Sequence, residues 1–285
     1  MSQSDEHVLE AIGRSRVVVR EGKIVEVGPS MIRECPLAKR FAVPVDKISP
    51  EMVRRNIEHR IRSFGMCTRE RVLESSQDFV TFGASEMISQ GLRSGIVGAA
   101  VIVCEGAGTL VTSNPDLVQG IGGRMSGLVS TSPIPALIER IESLGGIVLD
   151  RNGARVDQVE GTELAYREGF RDVAVTITDP QEGERIRALH PDALLFGVHL
   201  TGIGKMEAYR MAEVADLASG CASKWMREAA AERALLQAGT AIPVFAFTER
   251  GKRLVLEKVL SSSQRFLVKV EKIPCAGEKC PDPLV

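Results

Sequence analysis

The sequence predicts an α/β fold with a largely parallel sheet whose strands are joined by crossover helices. From about Asp78 onward, short apolar runs recur at intervals of roughly 20–27 residues, the length of a strand plus a helix. Helix-capping signals lie between the runs, as at Ser132-Pro133 and in the capping box Asp179-Pro180-Gln181-Glu182. Strands that alternate with helices in this way are typical of parallel sheets. The pattern does not distinguish an open doubly wound sheet from a partial barrel.

Residues 1–77 are predicted to form a smaller N-terminal region of a β-hairpin and helices. The segment Val17–Gly28 places β-branched residues on both sides of a polar turn, as a hairpin does. Ser49-Pro50 indicates a helix start, and Gly65 indicates the end of that helix. Thr68 is in position to cap a second helix.

Residues 78–262 are predicted to form the α/β core, and residues 263–285 a C-terminal strand and tail. The predicted core strands are Ala99–Cys104, Ile147–Leu149, Val173–Ile177, Leu194–Leu200, Asp216–Cys221 and Val244–Phe247. Arg265–Ile273 alternates like a strand, and a proline-rich tail with two cysteines follows it. We expect this strand to pair with the N-terminal hairpin, so that the C-terminal strand and the tail join the small region to the core.

Composition and charge exclude several classes of function. The chain of 285 residues carries 36 Lys and Arg against 37 Asp and Glu, which argues against a nucleic-acid partner. The longest apolar run, Gly95–Cys104, is about half as long as a membrane-spanning helix. The polar N-terminal residues resemble no secretory signal. We therefore expect a cytoplasmic protein with no membrane partner, whose six cysteines are not disulfides.

Four cysteines are candidate metal ligands. Cys275 and Cys280 form a C-x4-C pair in a tail that is otherwise unlike the buried places where free cysteine is usually found. If the C-terminal strand pairs with the hairpin, Cys35 and Cys275 follow adjacent strand ends. Cys67 precedes the predicted helix start at Thr68, where a helix N-terminus and nearby arginines favour a thiolate. Four thiolates would suit an iron–sulfur cluster, with zinc as the alternative. In the competing interpretation the tail is loose and Cys67 only packs in a helix corner.

A second candidate site lies at the ends of the predicted interior strands, where parallel sheets bind ligands. Two glycine loops there offer backbone N–H groups to an anion, although neither completes a dinucleotide or P-loop motif. His199, just before the second loop, is a candidate general base or ligand. The predicted ligand-binding residues are Cys104, Gly106, Gly108, His199, Gly202, Gly204, Lys205 and Cys221. The competing interpretation is that the loops are tight turns and the other side chains are packed in the sheet.

Four segments together resemble the methanogenesis marker protein 8 family. They are VVVREGKIVEVGP at 17–29, ECPLAKRF at 34–41, IVCEGAGTLVTSNP at 102–115 and PCAGEKCP at 274–281. The resemblance extends over most of the chain and contains no motif of known mechanism. It implies an archaeal protein that serves methyl-coenzyme M reductase, its nickel cofactor or its activation, with other methanogenesis proteins as partners. It assigns no residue a role.

Three functions stay open on the sequence alone, and whether the protein is an enzyme is not decided. The first is an accessory protein of methanogenesis that binds an iron–sulfur cluster or zinc and serves the maturation or activation of methyl-coenzyme M reductase or its cofactor. The second is an α/β enzyme acting on a small metabolite that bears a phosphate or carboxylate. The third is a non-catalytic assembly component. The sequence contains no H-E-x-x-H, no G-x-S-x-G and no recognisable catalytic triad order.

Overall fold

The computed structural model describes residues 5–125, 127–275, 277 and 279–285, and it confirms the α/β fold class. Strands and helices alternate over most of the chain, and the strands form two separate sheets. The strands are β1 (Glu6–Glu10), β2 (Arg16–Arg20), β3 (Lys23–Val27), β4 (Ala99–Cys104), β5 (Gly108–Thr112), β6 (Gly127–Thr131), β7 (Ile147–Val148), β8 (Val173–Ile177), β9 (Leu194–Gly197), β10 (Leu217–Ser219), β11 (Leu236–Ala238) and β12 (Val244–Ala246). The helices are α1 (Pro50–Phe64), α2 (Ala84–Ser94), α3 (Pro115–Gly122), α4 (Pro135–Ser143), α5 (Gln158–Arg167), α6 (Pro180–Leu189), α7 (Lys205–Val214), α8 (Lys224–Arg233) and α9 (Glu249–Ser261).

The larger sheet contains eight strands in the order β11-β12-β10-β9-β8-β4-β5-β7. Its central strands β10, β9, β8 and β4 are parallel, so their carboxyl ends lie at the same edge. The outer strands pair in the antiparallel sense. The sheet is thus parallel only in its centre, and its linear strand order makes it an open sheet. At one side, the chain returns from β4 to β5 in a tight hairpin and forms no crossover helix.

The smaller sheet is antiparallel and has the order β3-β2-β1-β6. The predicted hairpin is confirmed as β2 and β3, with Glu21 and Gly22 in the left-handed conformation at its turn. The fourth strand, β6, comes from the part of the chain that was assigned to the core. The small sheet is therefore attached directly to the segment between α3 and α4.

Helix α1 covers one face of the small sheet. Its start and end are as predicted, because the Ser49 side chain caps it and Gly65 ends it with φ 64°. Val53 and Ile57, one turn apart, are fully buried and belong to the same apolar cluster as Leu9 of β1. The α1 residues that face away from this cluster are free to contact the large sheet.

Apolar side chains cover both faces of the large sheet. Ile102 of β4 packs in a cluster with Leu117 of α3, whereas its neighbour Val101 belongs to a cluster on the other face with Ile186 of α6. Successive strand residues point to opposite faces, so a strand covered on both sides is apolar throughout. This explains why the interior strands appear in the sequence as continuous apolar runs.

The predicted C-terminal strand is wrong. Arg265–Ile273 is not a strand in the described structure, and Leu267, Val268 and Val270 are exposed. The strand that pairs with the hairpin is instead β1, beside β2, which the sequence did not indicate. Alternating apolar residues favour a strand only where a neighbouring edge is available to pair with it.

The tail nevertheless reaches the N-terminal region. Glu34 and Asp282 form an isolated antiparallel bridge, and Arg33 forms an ion pair with Asp282 at 2.8 Å. No helix follows Thr68, whose hydroxyl accepts the Glu70 N–H in a short turn. Among the described helices, none is long and apolar enough to cross a membrane.

Candidate functional site

A cavity of about 540 Å³ lies where α1 and the small sheet meet the carboxyl edge of the large sheet. Ile102 of β4, Thr176 of β8 and His199 after β9 line one side. Asn56 of α1 and Leu128 of β6 line the other. Open α/β sheets bind their ligands at this edge, and the cavity has the size of a metabolite site. His199 therefore lies where the sequence predicted a ligand site.

Positively charged side chains outnumber carboxylates in the cavity wall. The ionisable residues that line it are Arg40, His59, Arg60, Glu86, Arg124, Glu182 and His199. Glu86 is already engaged, because its carboxylate accepts hydrogen bonds from the Phe79 N–H and from Gln119, both at 3.1 Å. The remaining charge is cationic, which favours an anionic ligand.

Arg124 presents a preformed anion-binding group. Its guanidinium lies over the rings of Phe64 and Phe79, with distances of 4.7 and 5.2 Å from Cζ to the ring centroids. Its Nε and Nη1 atoms are buried and have no hydrogen-bond partner within the described residues. Burial, assisted by the positive charge of Arg71, lowers the pKa of Arg124. The two rings hold the plane of the guanidinium, and its donors are left for a ligand.

Arg60 adds a second positive charge beside Arg124. Its Nη1 donates to the Arg124 carbonyl oxygen at 3.0 Å, and its guanidinium lies over Phe41. Burial lowers the pKa of Arg60 to about 10, with Arg71 acting in the same direction and Glu105 in the opposite one. The positive charges of three arginines, Arg60, Arg71 and Arg124, thus lie near one another. The carboxylate of Glu105 partly offsets the charge of Arg60.

His199 and Glu10 form a hydrogen-bonded pair at the cavity. His199 Nε2 lies 2.9 Å from Glu10 Oε2. This hydrogen bond lowers the pKa of Glu10, and Arg14 contributes in the same direction. Because an ionised carboxylate only accepts hydrogen bonds, the contact assigns a proton to Nε2, and in the neutral imidazole the lone pair is then on Nδ1. The pair has the form of an oriented general base.

Glu182 is the second acid–base candidate. It lies in the first turn of α6 and lines the cavity. Burial raises the pKa of Glu182, and the negative charges of Asp179 and Asp157 add to the rise while Arg185 opposes it. A carboxyl group with a raised pKa holds its proton closer to neutral pH, as a general acid must.

The first predicted glycine loop is a hairpin turn between β4 and β5. Gly106 and Gly108 have positive φ there, and the Gly106 N–H donates to Thr131 Oγ1 at 2.7 Å. A Cβ on Gly108 would lie 2.2 Å from the Ala154 carbonyl oxygen. The turn is enclosed by protein and is followed by β5 rather than by a helix, unlike the glycine loop of an anion-binding motif.

The second loop is separate from the cavity. Gly202 packs on Met31, and Gly204 precedes α7. Lys205 Nζ forms an ion pair with Glu228 at 2.7 Å and lies over the Trp225 ring. These loop residues do not line the cavity.

Cys67 and Cys104 are buried thiols with low reactivity. Neither side chain is exposed, and burial raises the pKa of both well above the ordinary value. Cys104 also raises the pKa of Cys67, which indicates that the two lie near each other. The predicted thiolate character of Cys67 is wrong, because the helix expected after Thr68 does not form and the thiol is desolvated.

Cys35, Cys221 and Cys280 lie around the contact between the tail and the N-terminal region. Burial raises the pKa of Cys35, although hydrogen bonds from the backbone of Ala38 and Leu37 lower it, and Cys221 is near enough to raise it further. Cys221 and Cys280 both act on the pKa of Arg227. Cys221, which follows β10, has a left-handed φ of 36°.

The structure does not gather the four predicted metal ligands into one site. Cys67 lies with Cys104, and Cys275 contacts Glu271, with Sγ 3.4 Å from Oε2. Over the part of the chain that the structure describes, no group of three His, Cys, Asp or Glu side chains could hold a metal ion. An iron–sulfur cluster or zinc therefore stays a prediction, and Cys67 is poorly placed to take part.

Sequence reasoning missed the arginines and the second acid–base residue of the cavity. Arg60 is one of several charged residues on α1, and Arg124 follows a glycine pair at the end of α3. Glu182 belongs to the capping-box pattern that begins at Asp179. A glycine-rich helix end followed by arginine was the one available signal. The aromatic partners Phe64 and Phe79 come from a different part of the chain.

These features define an α/β protein with an arginine-bearing cavity at the carboxyl edge of its central parallel strands. The chain belongs to the archaeal family DUF2099, described as an uncharacterized protein conserved in archaea, which it matches over residues 7–260. It is 41% identical over 284 residues to an uncharacterized protein of Methanocaldococcus jannaschii, covering 99% of this chain and 100% of that protein. No solved structure matches the chain. The family description assigns no role, so the link to methanogenesis stays a prediction.

Proposed function

We propose that the protein is an enzyme that binds a small anionic metabolite in the cavity. The observation that carries this proposal is the Arg124 guanidinium, whose buried Nε and Nη1 have no acceptor within the described residues. A buried donor without a partner costs about 1–3 kcal/mol, and more when it is charged. A carboxylate or phosphate oxygen that accepts from one of these donors lowers this cost, because a hydrogen bond between a guanidinium and an anion is charge-assisted and strong.

The size and the walls of the cavity restrict the ligand further. A volume of about 540 Å³ fits a metabolite rather than a macromolecule. The walls include the rings of Phe41, Phe64 and Phe79 together with aliphatic residues of β4 and α3. The ligand is therefore expected to combine one anionic group with a partly apolar body.

The proposal is tested by measuring the thermal stability of the purified protein with a panel of anions. The probes are inorganic phosphate, pyrophosphate, citrate and 2-oxoglutarate, each titrated at constant ionic strength. A ligand that binds only the folded state raises Tm with saturation. We expect saturable stabilisation of the native protein by at least one probe and its loss in Arg124→Gln.

The matched control is Arg210→Gln. Arg210 forms an ion pair with Glu184 at 2.6 Å and does not line the cavity. The control should respond to the anion as the native protein does. An equal response of all three proteins would mean that the anions act elsewhere, and no saturable response in the native protein would contradict the proposal.

A second candidate function is the accessory role in methanogenesis, in the cytoplasm, with a metal or cluster held near the tail. It is favoured by Arg227, which is 6% exposed and whose Nε has no hydrogen-bond partner in the described parts of the chain. Burial lowers the pKa of Arg227, and Cys280 and Cys221 oppose this effect. Metal-bound thiolates would compensate its charge. The ligands proposed here are Cys35, Cys221 and Cys280, which would have to move closer together on binding.

The second candidate is tested by anaerobic purification followed by analysis of iron, sulfide and zinc. Binding at the tail predicts metal in the native protein and its loss in Cys280→Ser. Cys104→Ser is the control, since Cys104 is buried in the sheet and away from the tail. Metal-free native protein after anaerobic handling, or equal metal content in both variants, would contradict this candidate.

A further inference from the structure

We infer that the cavity catalyses proton transfer at a carbon next to the carbonyl group of a small oxo acid or keto phosphate, with His199 as the base and Glu182 as the acid. The inference rests on the proposed function, because Arg124 would hold the anionic group of this substrate. It adds the class of reaction and the class of substrate.

The fold brings the two groups to the same cavity from neighbouring strands. Glu182 lies in the first turn of α6, which follows β8, and His199 lies two residues after β9. The strands are parallel neighbours, and the Val198 N–H donates to the Ile177 carbonyl oxygen at 2.9 Å, so the connections after them run side by side. Both side chains line the cavity that Arg124 also lines.

His199 is held in one orientation by contacts on two sides. Its backbone has a left-handed φ of 57°, which a residue with a side chain adopts only at a cost, and such strain is concentrated at functional sites. Glu10 accepts from Nε2 at 2.9 Å, and Arg14 donates to the same carboxylate at 3.0 Å. The backbone of Gly127 packs against the ring, where a Cβ would lie 2.6 Å from Nε2. In the neutral ring this hydrogen bond leaves Nδ1 as the basic atom for the substrate.

Glu182 supplies the complementary proton. The charged groups that act on it are Asp179 of the α6 cap, Asp157 of the α5 cap and Arg185 of α6. Burial and the two aspartates favour the protonated carboxyl group, whereas Glu10 is held ionised beside His199 and Arg14. The pKa values of two carboxyl groups near one cavity are thus shifted in opposite directions, an arrangement that separates an acid from a base.

The proposed step conserves atoms and charge. His199 Nδ1 takes the proton from the carbon next to the substrate carbonyl, and the electrons of the broken C–H bond form an enolate. The Glu182 carboxyl group gives its proton to the enolate carbon or oxygen. His199 is left as imidazolium and Glu182 as carboxylate, and proton exchange with water restores both. The charge of the enolate develops in the positive field of Arg60 and Arg124, and the step needs no oxidant or reductant.

The test is the exchange of substrate hydrogen for deuterium in D₂O, followed by proton NMR. The probes are pyruvate, 2-oxoglutarate and dihydroxyacetone phosphate, and binding of each is measured separately by calorimetry. The native protein should accelerate exchange of at least one probe that it binds. His199→Gln and Glu182→Gln should each slow this exchange by roughly 100-fold or more and still bind the probe. Glu184→Gln, on the same helix as Glu182 but outside the cavity wall, is the control and should exchange at the native rate.

The outcomes separate the inference from the proposed function. Binding of probes that depends on Arg124, without exchange in the native protein, overturns the proton transfer and leaves the ligand site intact. Exchange that persists in His199→Gln also overturns the assignment of the base. Failure of every anionic probe to bind overturns the proposed function itself, and with it this inference.

Discussion

Arg71 and Glu105 form an ion pair whose two side chains have no exposure to solvent, with Arg71 Nε 2.6 Å from Glu105 Oε1. Arg71 also donates to the carbonyl oxygens of Gly120 and Ile121, at 3.3 and 3.1 Å. The pair therefore connects the segment after α1, the end of β4 and the last turn of α3. Arg124 follows that turn, so the same buried pair supports the wall of the cavity.

Arg71→Met is expected to lower the free energy of unfolding by about 3–5 kcal/mol, because it leaves the Glu105 carboxylate buried without its partner. Urea unfolding measures this loss. Adding Glu105→Leu should recover part of it, since the double variant has no unpaired buried charge. The exposed pair of Arg210 and Glu184 is the control, and Arg210→Gln should lower the free energy of unfolding much less than Arg71→Met. A loss in Arg71→Met no larger than in this control would contradict the structural role.

Gly127→Ala is expected to slow proton transfer without preventing ligand binding. The added Cβ would lie 2.6 Å from His199 Nε2, so the ring must move away from Glu10. Deuterium exchange should fall, the binding of the same probe should persist, and the ¹⁵N shifts of the His199 ring should change with loss of the hydrogen bond.

Gly28→Ala is the control for Gly127→Ala. Gly28 follows β3 of the same sheet, and a Cβ there would make an ordinary contact with Arg16 at 3.5 Å. Native exchange in Gly28→Ala with reduced exchange in Gly127→Ala would support the positioning role. Equal exchange rates in the two variants would contradict it.

The fold was predictable where local pattern and packing agree. The interior strands β4, β8 and β9 are buried on both faces, so each is a continuous apolar run that the sequence displays directly. The failure at Arg265–Ile273 has a physical reason, because the pattern reports strand preference and not which edge is free for pairing. In the structure β1 is the strand that pairs with the hairpin, at β2.

The site was less predictable than the fold. His199 could be found because it directly follows a buried strand, and such positions collect at one edge of a parallel sheet. Arg124 could not, because its role depends on Phe64 and Phe79, which only the folded chain brings to it. For Cys67 the sequence predicted a property that the fold does not produce. Arginines near it in sequence suggested a thiolate, but burial has the largest effect on its pKa and raises it.

The cysteines are expected to differ in their reaction with iodoacetamide under native conditions. Cys67 and Cys104 should remain unmodified at mildly alkaline pH, because both are fully buried and burial raises their pKa. Cys275, whose thiol donates to the exposed Glu271 carboxylate at 3.4 Å, should react first. Peptide mass spectrometry after timed quenching measures the order, and denatured protein, in which all six cysteines react, is the control. Early labelling of Cys67 would show that its site opens or is not desolvated.

Glu182→Gln is expected to raise stability at neutral pH. In the folded protein the pKa of Glu182 is raised above its ordinary value of 4.5, by burial first and then by Asp179 and Asp157. Between 4.5 and the raised pKa the folded state binds more protons than the unfolded state, so the free energy of unfolding falls as pH rises. Glutamine does not ionise, so the free energy of unfolding of Glu182→Gln does not decrease with pH for this reason. The stabilising effect of the substitution should therefore be absent below the ordinary pKa and complete above the raised one.

Urea unfolding of both proteins from about pH 4 to about pH 8 measures this difference. Glu184→Gln on the same helix is the control with the opposite sign, because Arg210 lowers the pKa of Glu184 and the folded state gains from its ionisation. That variant should lose stability, relative to the native protein, as pH rises through the range in which Glu184 ionises. A pH-independent difference for Glu182→Gln would mean that its carboxyl group is not desolvated in the cavity, and the assignment of Glu182 as the acid would fail with it. A gain that grows with pH would indicate that the protein gives up stability to hold this carboxyl group, with its raised pKa, in the cavity, as functional sites commonly do.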